Sequence, residues 1–300
     1  MSVQKTRLTG IILFCARCIP LTIRKLFFQF LFTLFYHLTA KHRLIALHNL
    51  RCAFPEKDMA ELIQIAKGAY RNIAIMAAEF FDMPSIAPHN VHKWVELEGR
   101  EHYEAGIAQG KGLLYFVAHF GNWELMAFVT PLLIKPMYVI YRPLDNPALD
   151  NIIEYLRTMH GNVLIPKGGI GKRVRELLQE NQLIGVMSDQ NVAHQEGVFV
   201  DFFGIPACTT TGLARIARHT GAAVVPGYIF WDAALRKYRL RFEPAVGVVH
   251  TDDEAADILE NTARFTRVIE EHARRYPDQW LWVHRRWRTR PPGEKPLYPV

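Results

Sequence analysis

Serine is scarce in this chain: three in 300 residues, Ser2, Ser85 and Ser188. None stands in G-x-S-x-G. Ser188 lies in VMSDQ, which excludes a hydrolase built on a nucleophile elbow. Cysteine is nearly as sparse, with four residues. Cys15 and Cys18 form a lone C-x-x-C with no second pair and no matching His, so a zinc site is not expected. Cys52 and Cys208 stand alone. No disulfide framework is visible, which fits a reducing compartment. H-E-x-x-H is absent, so metal hydrolysis has no motif and no metal is expected. The KGGIGK stretch (167–172) fails as a Walker A loop, because Pro166 stands where Gly is needed and Arg173 where Ser or Thr is needed. Its entry into a basic helix still leaves Lys172 and Arg173 as candidates for holding an anion, against the plain alternative of a solvated basic helix. Long apolar runs are missing too. The longest charge-free stretch of the amino-terminal forty residues covers 26–40, short of the roughly 20 residues needed to span a bilayer upright.

What is present is apolar and basic. Half the residues are hydrophobic, and Lys plus Arg (36) outnumber Asp plus Glu (29), giving a formal charge of +7. Such a balance suits an anionic partner: nucleic acid, a membrane surface, or an acidic protein or lipid. The stretch LTGIILFCARCIPLTIRKLFFQFLFTLFYHLTA (8–40) is dominated by Leu, Ile and Phe but interrupted by Arg17, Arg24 and Lys25. It reads as a membrane helix with snorkelling cations or as a helix lying in the interface, with a buried core helix as the plain alternative. No cleavable signal peptide fits.

His119 is the one histidine of 13 with an acidic residue five positions on, Glu124, in VAHFGNWELM. On a continuous helix the two side chains diverge by about 140°, and on a strand they take opposite faces. They meet only across a turn, and Gly121-Asn122 supplies one. Upstream, 112–118 reads as a buried strand; downstream, 123–134 reads as a helix with Asn122 as N-cap. His119 is thereby expected where a strand ends at the ligand-binding edge of an α/β sheet. A turn with a surface histidine and a dipole-complementing Glu is the plain alternative. A histidine–acid pair without a nucleophile points to general-base catalysis on a substrate hydroxyl, with no acyl-enzyme.

The remaining chain alternates. Helices are expected at 41–54 and 59–81. From about 95 onward come strand-like VELEG, helix 100–109, strand 112–118, helix 123–134, strand 137–141, helix 147–160 and strand 162–165. Helix 170–180, strand 183–189, helix 210–219, strands 222–230 and 236–246, and helix 254–275 follow. Repeated βα units of this length predict an α/β fold, a largely parallel central sheet flanked by helices. The expected organisation is an amino-terminal membrane-anchoring segment, 1–40, and one catalytic domain, 41–300. Near the end, QWLWVHRRWRTRPP (279–292) interleaves Trp280, Trp282 and Trp287 with Arg285, Arg286, Arg288 and Arg290. That pattern suits lipid headgroups or stacked bases; a core strand ending in a basic tail is the plain alternative.

AHFGNWE, YRPLDNP (141–147), VMSDQN (186–191), VDFFGIPACTTTGLARIARHTGAAVVP (200–226) and QWLWVHRRW (279–287) follow one another in the order seen in the bacterial late acyltransferases of lipid A biosynthesis, which the chain resembles over nearly its whole length. That family of lauroyl- and myristoyltransferases belongs to the lysophospholipid acyltransferase superfamily. The resemblance implies a glycerol-3-phosphate acyltransferase-like fold and an enzyme on the cytoplasmic face of the inner membrane. It implies transfer of a fatty acyl chain from acyl carrier protein or coenzyme A to a hydroxyl of a lipid A precursor, with no further cofactor and no nucleic acid. His119 and Glu124 occupy the family's H-x4-E positions, the His as general base and the acid as its orienter. The resemblance places Arg142, in YRP, near the site, holding an anionic group or the developing oxyanion, and Asp189 at a second acidic position of less defined role, both counted with His119 and Glu124 among the catalytic residues. Asn122, Tyr141, Lys172, Arg173, Arg285, Arg286 and Trp287 are the residues expected to contact substrate. A related acceptor (a phosphatidylinositol mannoside, ornithine lipid or lysophospholipid) is the alternative.

Overall fold

The computed structural model describes residues 6–298. The chain begins with four helices: α1 (Arg7–Arg17), α2 (Leu21–Leu38), α3 (Ala40–Ala53) and α4 (Met59–Glu79). The hydrophobic start is therefore two helices rather than one. Pro20 is the N-cap of α2, and the chain breaks there because proline disfavours α geometry in the residue before it. Among the described residues no helix is long and apolar enough to cross a membrane, so the reading of this segment as a spanning helix is not supported.

Two of the three cations expected to snorkel do not. Arg24 is buried and donates to the carbonyls of Ile19 and Ala78 and to Asp82 (2.5 Å). Lys25 pairs with Glu79 at 2.7 Å. Both hold α2 against α4 and its carboxyl end. The opposite side of the segment remains bare: Leu8, Ile11, Phe14, Leu26, Phe27 and Phe30 are each more than half exposed.

The rest is built on β1 (Val95–Glu98), α5 (Arg100–Ile107), β2 (Leu113–Val117), α6 (Trp123–Leu133), β3 (Tyr138–Tyr141), α7 (Pro147–Thr158), β4 (Val163–Pro166), α8 (Gly171–Gln179) and β5 (Leu183–Met187). It continues through β6 (Gly197–Phe202), β7 (Ile205–Thr210), α9 (Gly212–Thr220), β8 (Ala223–Asp232), β9 (Lys237–Phe242) and α10 (Glu254–Arg275). Seven strands form one sheet in the order β1-β9-β8-β2-β5-β3-β4. β8, β2, β5, β3 and β4 are mutually parallel; β9 runs antiparallel to β8, and β1 follows β9. The expected largely parallel sheet is present, with an opposed pair at one edge. The β6–β7 hairpin, a separate antiparallel ribbon, was not anticipated.

Strand order fixes where a site can form. From β2 the chain leaves through α6 toward β3, while from β5 it leaves through α9 toward β8, in the opposite direction across the sheet. Right-handed crossovers in opposite directions put their helices on opposite faces. The two cores agree: Tyr115 and Val117 pack with residues of α6 and α7, whereas Leu114 and Phe116 pack with residues of α8, α9 and α10. Between the carboxyl ends of β2 and β5 the outgoing chains part, leaving a crevice.

Candidate active site

Register brings the central pair together. Val117 at the end of β2 lies opposite Met187 at the end of β5. Two residues beyond the end of each strand stand His119 and Asp189, side by side. Asp189 Oδ1 lies 2.8 Å from His119 Nδ1, and Oδ2 accepts the backbone N–H of His119 at 2.9 Å. Oδ2 also accepts Trp280 Nε1–H at 3.1 Å. An ionised carboxylate only accepts, so Nδ1 carries the proton and Nε2 keeps its lone pair. Beyond Nε2 is the Gln190 amide, 3.5 Å away, and the Trp123 ring stands edge-on to the imidazole, 5.2 Å between centroids.

The electrostatics follow from this packing. Burial disfavours the charged imidazole, but the charge and hydrogen bond of Asp189, helped by the charge of Glu124, outweigh it and hold the His119 pKa above its ordinary value. Burial likewise raises a carboxyl, yet His119 and the donors to Asp189 overcome it and bring Asp189 down to about 2. Asp189 therefore stays ionised at any physiological pH, and His119 is a strengthened base.

The structure does not make the expected His119–Glu124 contact. Glu124 opens α6, and α7 lies on the same face of the sheet. Arg157, in the last turn of α7, meets the carboxylate with two parallel hydrogen bonds of 3.0 and 2.7 Å. Glu124 reaches His119 only through space. The acid on the imidazole is Asp189, 70 residues away in sequence.

The loop that carries His119 is fixed on several sides. Gly121 sits at φ +58°, and a Cβ there would lie 1.8 Å from the Ile229 carbonyl oxygen, so only glycine fits. From α4, Asn72 donates to the Gly121 carbonyl (3.0 Å). Glu79, buried, accepts from Asn122 (3.1 Å) and Tyr238 (2.7 Å). Asn122 is itself buried and caps α6 through the N–H of Leu125. Its side chain is committed to the fold, so the expected substrate contact is corrected to a scaffolding role.

The tail is corrected more fully. Trp280, Trp282, Arg286 and Trp287 are all buried, three of them with no exposed surface. A buried Trp removes about 150–250 Å² from water, worth roughly 4–6 kcal/mol each, far too much for a loose headgroup-binding tail. Gly121 N–H donates to the Gln279 carbonyl, and Leu281 N–H to the His119 carbonyl. His284 Nε2 accepts the Asn191 N–H at 2.8 Å, and burial brings its pKa down to about 4, so it acts as a neutral acceptor. The segment wraps the His119–Asp189 pair. Arg286 donates to the Cys208 carbonyl (3.1 Å) and the Thr209 hydroxyl (2.5 Å), tying the segment to β7 rather than to solvent. Arg285 is half-buried against the Tyr298 ring.

The other expected residues lie on the same sheet edge but further out. Arg142 follows β3, is exposed, and forms no hydrogen bond or ion pair among the described residues. Tyr141 gives its hydroxyl to Glu154. Lys172 and Arg173 open α8 beyond β4, a strand three positions from β2 and so about 14 Å from it across the sheet, and Arg173 pairs with Glu176. Arg157, Gln190 and Trp280 were missed as site residues; Gln190 and Trp280 stand in stretches the sequence singled out, VMSDQN and QWLWVHRRW, whereas nothing in the sequence pointed to Arg157.

This site joins a strengthened histidine base to a buried carboxylate at a sheet crevice. No serine, threonine or cysteine is hydrogen-bonded to the imidazole among the described residues. Residues 4–289 match the model of the family described as bacterial lipid A biosynthesis acyltransferase, and the chain belongs to that family. It is accordingly an O-acyltransferase. The chain is 28% identical to the lipid A biosynthesis palmitoleoyltransferase of Escherichia coli over 259 residues, 85% of this chain and 81% of the relative. It is 28% identical to the lauroyltransferase of the same organism over 252 residues, covering 83% and 80%. A phosphatidylinositol mannoside acyltransferase of Mycobacterium tuberculosis is 26% identical over 216 residues, covering 70% and 66%.

Proposed function

We propose that the protein moves a fatty acyl chain from acyl carrier protein, or from coenzyme A, directly to a hydroxyl of a lipid A precursor. His119 Nε2 takes the hydroxyl proton as the oxygen attacks the thioester carbonyl. The tetrahedral intermediate then expels the donor's thiolate, which recovers that proton from the imidazolium. Asp189 keeps the tautomer and supports the imidazolium while it is charged. The observation that carries this reading is the His119–Asp189 pair with Nε2 left free of any side-chain nucleophile. No acyl-enzyme forms. Glu124 acts on the same imidazole by its field, held in place by Arg157, and exposed Arg142 contacts an anionic group of either substrate.

The protein works at the cytoplasmic face of the inner membrane, with residues 1–40 as its anchoring segment. The exposed Phe and Leu side chains of α1 and α2 support a helix pair lying in the interface rather than across it. Lipid mass spectrometry of a deletion strain tests the function: a lipid A one acyl chain short is expected. An intact lipid A with another glycolipid under-acylated would transfer the mechanism to a different acceptor, the reading favoured by the likeness to the mannoside acyltransferase.

A further inference from the structure

Between α2 and α4 lies a cavity of about 430 Å³, away from the His119 loop. From α2 it takes the polar stripe Gln29, Thr33 and His37, spaced four apart, with Phe32 and Tyr36 beside it; from α4 it takes Lys67, Tyr70 and Arg71. Asn72, which holds the His119 loop, is turned about 100° from Arg71 around the helix, so the two faces of α4 serve different ends.

The cavity is chemically unfinished. Lys67 and Arg71 form no ion pair or side-chain hydrogen bond among the described residues, although unpartnered carboxylates such as Glu56 and Asp252 lie elsewhere on the surface. No carboxylate lines the cavity. Tyr70 is 3% exposed, yet its hydroxyl has no hydrogen-bond partner. A buried hydroxyl without a partner is an unfavourable arrangement that an acceptor would relieve. On the flanks of the same α2 stripe stand Leu26, Phe27, Phe30 and Leu34, all exposed. The cations thus sit at the border of a bare apolar surface.

We propose that this cavity binds the phosphodiester headgroup of an anionic membrane phospholipid. Lys67 and Arg71 pair with the phosphate, Tyr70 donates its hydroxyl hydrogen to a phosphate oxygen, and the acyl chains lie along the exposed side of α2. The assignment rests on the reading of α1 and α2 as the membrane-facing part, and it adds lipid selectivity to it. Two cations placed at a headgroup layer favour anionic vesicles by about 10–30-fold.

Flotation of the full-length protein with vesicles of phosphatidylcholine, alone or mixed with phosphatidylglycerol, tests this. Wild type is expected to prefer the mixed vesicles. The Lys67→Gln/Arg71→Gln variant should lose that preference while keeping its affinity for phosphatidylcholine, and Tyr70→Phe should weaken it several-fold. Arg267→Gln/Arg275→Gln on α10 removes the same charge elsewhere and should change little; thermal melts verify that each variant folds. A preference retained by Lys67→Gln/Arg71→Gln, or lost equally in the α10 variant, overturns the site and reduces the effect to net charge. Wild type that binds both vesicles equally overturns the site alone. Wild type that binds neither overturns the membrane reading and the site with it.

Discussion

Asp189→Asn is the substitution that separates the observed pairing from the one the H-x4-E spacing suggests. Asparagine keeps the shape of the side chain but removes the charge and one acceptor. Its amide no longer requires Nδ1 to carry the proton, so the tautomer with a free Nε2 loses its support. The expected fall in kcat is the loss of a well-oriented general base, about 10²–10⁴-fold, or roughly 3–5 kcal/mol of transition-state stabilisation. KM for the lipid should change little, because Asp189 is buried behind the imidazole. The pH profile gives a second readout. A base must be unprotonated to act, and Asp189 holds the His119 pKa above its ordinary value, so the wild-type rate rises with pH through a limb displaced upward from the ordinary histidine range. Without that charge, burial dominates and the limb moves to lower pH. The deficit of the variant should therefore shrink as the medium is acidified. The assay is initial-rate acyl transfer in detergent across a pH series. A variant with wild-type kcat and an unmoved limb would refute the role of Asp189.

Glu124→Gln should lower activity with a smaller displacement of the limb than Asp189→Asn. It should also cost on the order of 3 kcal/mol of stability by leaving Arg157 unpaired in a mostly buried place, which a denaturant melt reports and Arg157→Gln partly restores. An undiminished melt would mean that the Glu124–Arg157 pair is not a structural clamp. Gly121→Ala should prevent the loop from closing on β8 and abolish activity, with a lowered Tm; wild-type behaviour would contradict the close approach to Ile229. Arg142→Ala should raise the apparent KM for an anionic substrate, and the effect should fade as salt increases. A change confined to kcat would instead put Arg142 at the reacting carbonyl.

Local features were legible in the sequence where periodicity and capping agreed. Helix α10 runs Glu254–Arg275 as its spacing indicates, and Asn122 caps α6 as expected. The strand-end position of His119 followed from an apolar run, a turn dipeptide and an N-cap, all within a dozen residues. Its acid partner was less accessible. Asp189 meets His119 because β2 and β5 are neighbours in register, a fact of strand order that local pattern does not carry. The resemblance marked Asp189 as a site residue, while spacing favoured Glu124, which α7 claims instead. The tail misled for a related reason. Alternating Trp and Arg looks the same whether it meets lipid or a protein interior, and here Asn49, Thr209 and the His119 loop supply the partners. Likewise Arg24 and Lys25 resemble snorkelling cations until Asp82 and Glu79 are brought beside them by the packing of α2 on α4.

The most direct test is single-turnover transfer by purified protein from an acyl-loaded acyl carrier protein to a lipid A precursor, comparing wild type with His119→Ala. The product is one ester on the precursor, formed without any protein-bound acyl group. His119→Ala is expected to reduce the rate about 10²–10⁴-fold with lipid binding retained. Equal rates in the two proteins, or an acyl chain trapped covalently on a side chain, would contradict direct transfer with His119 as the base.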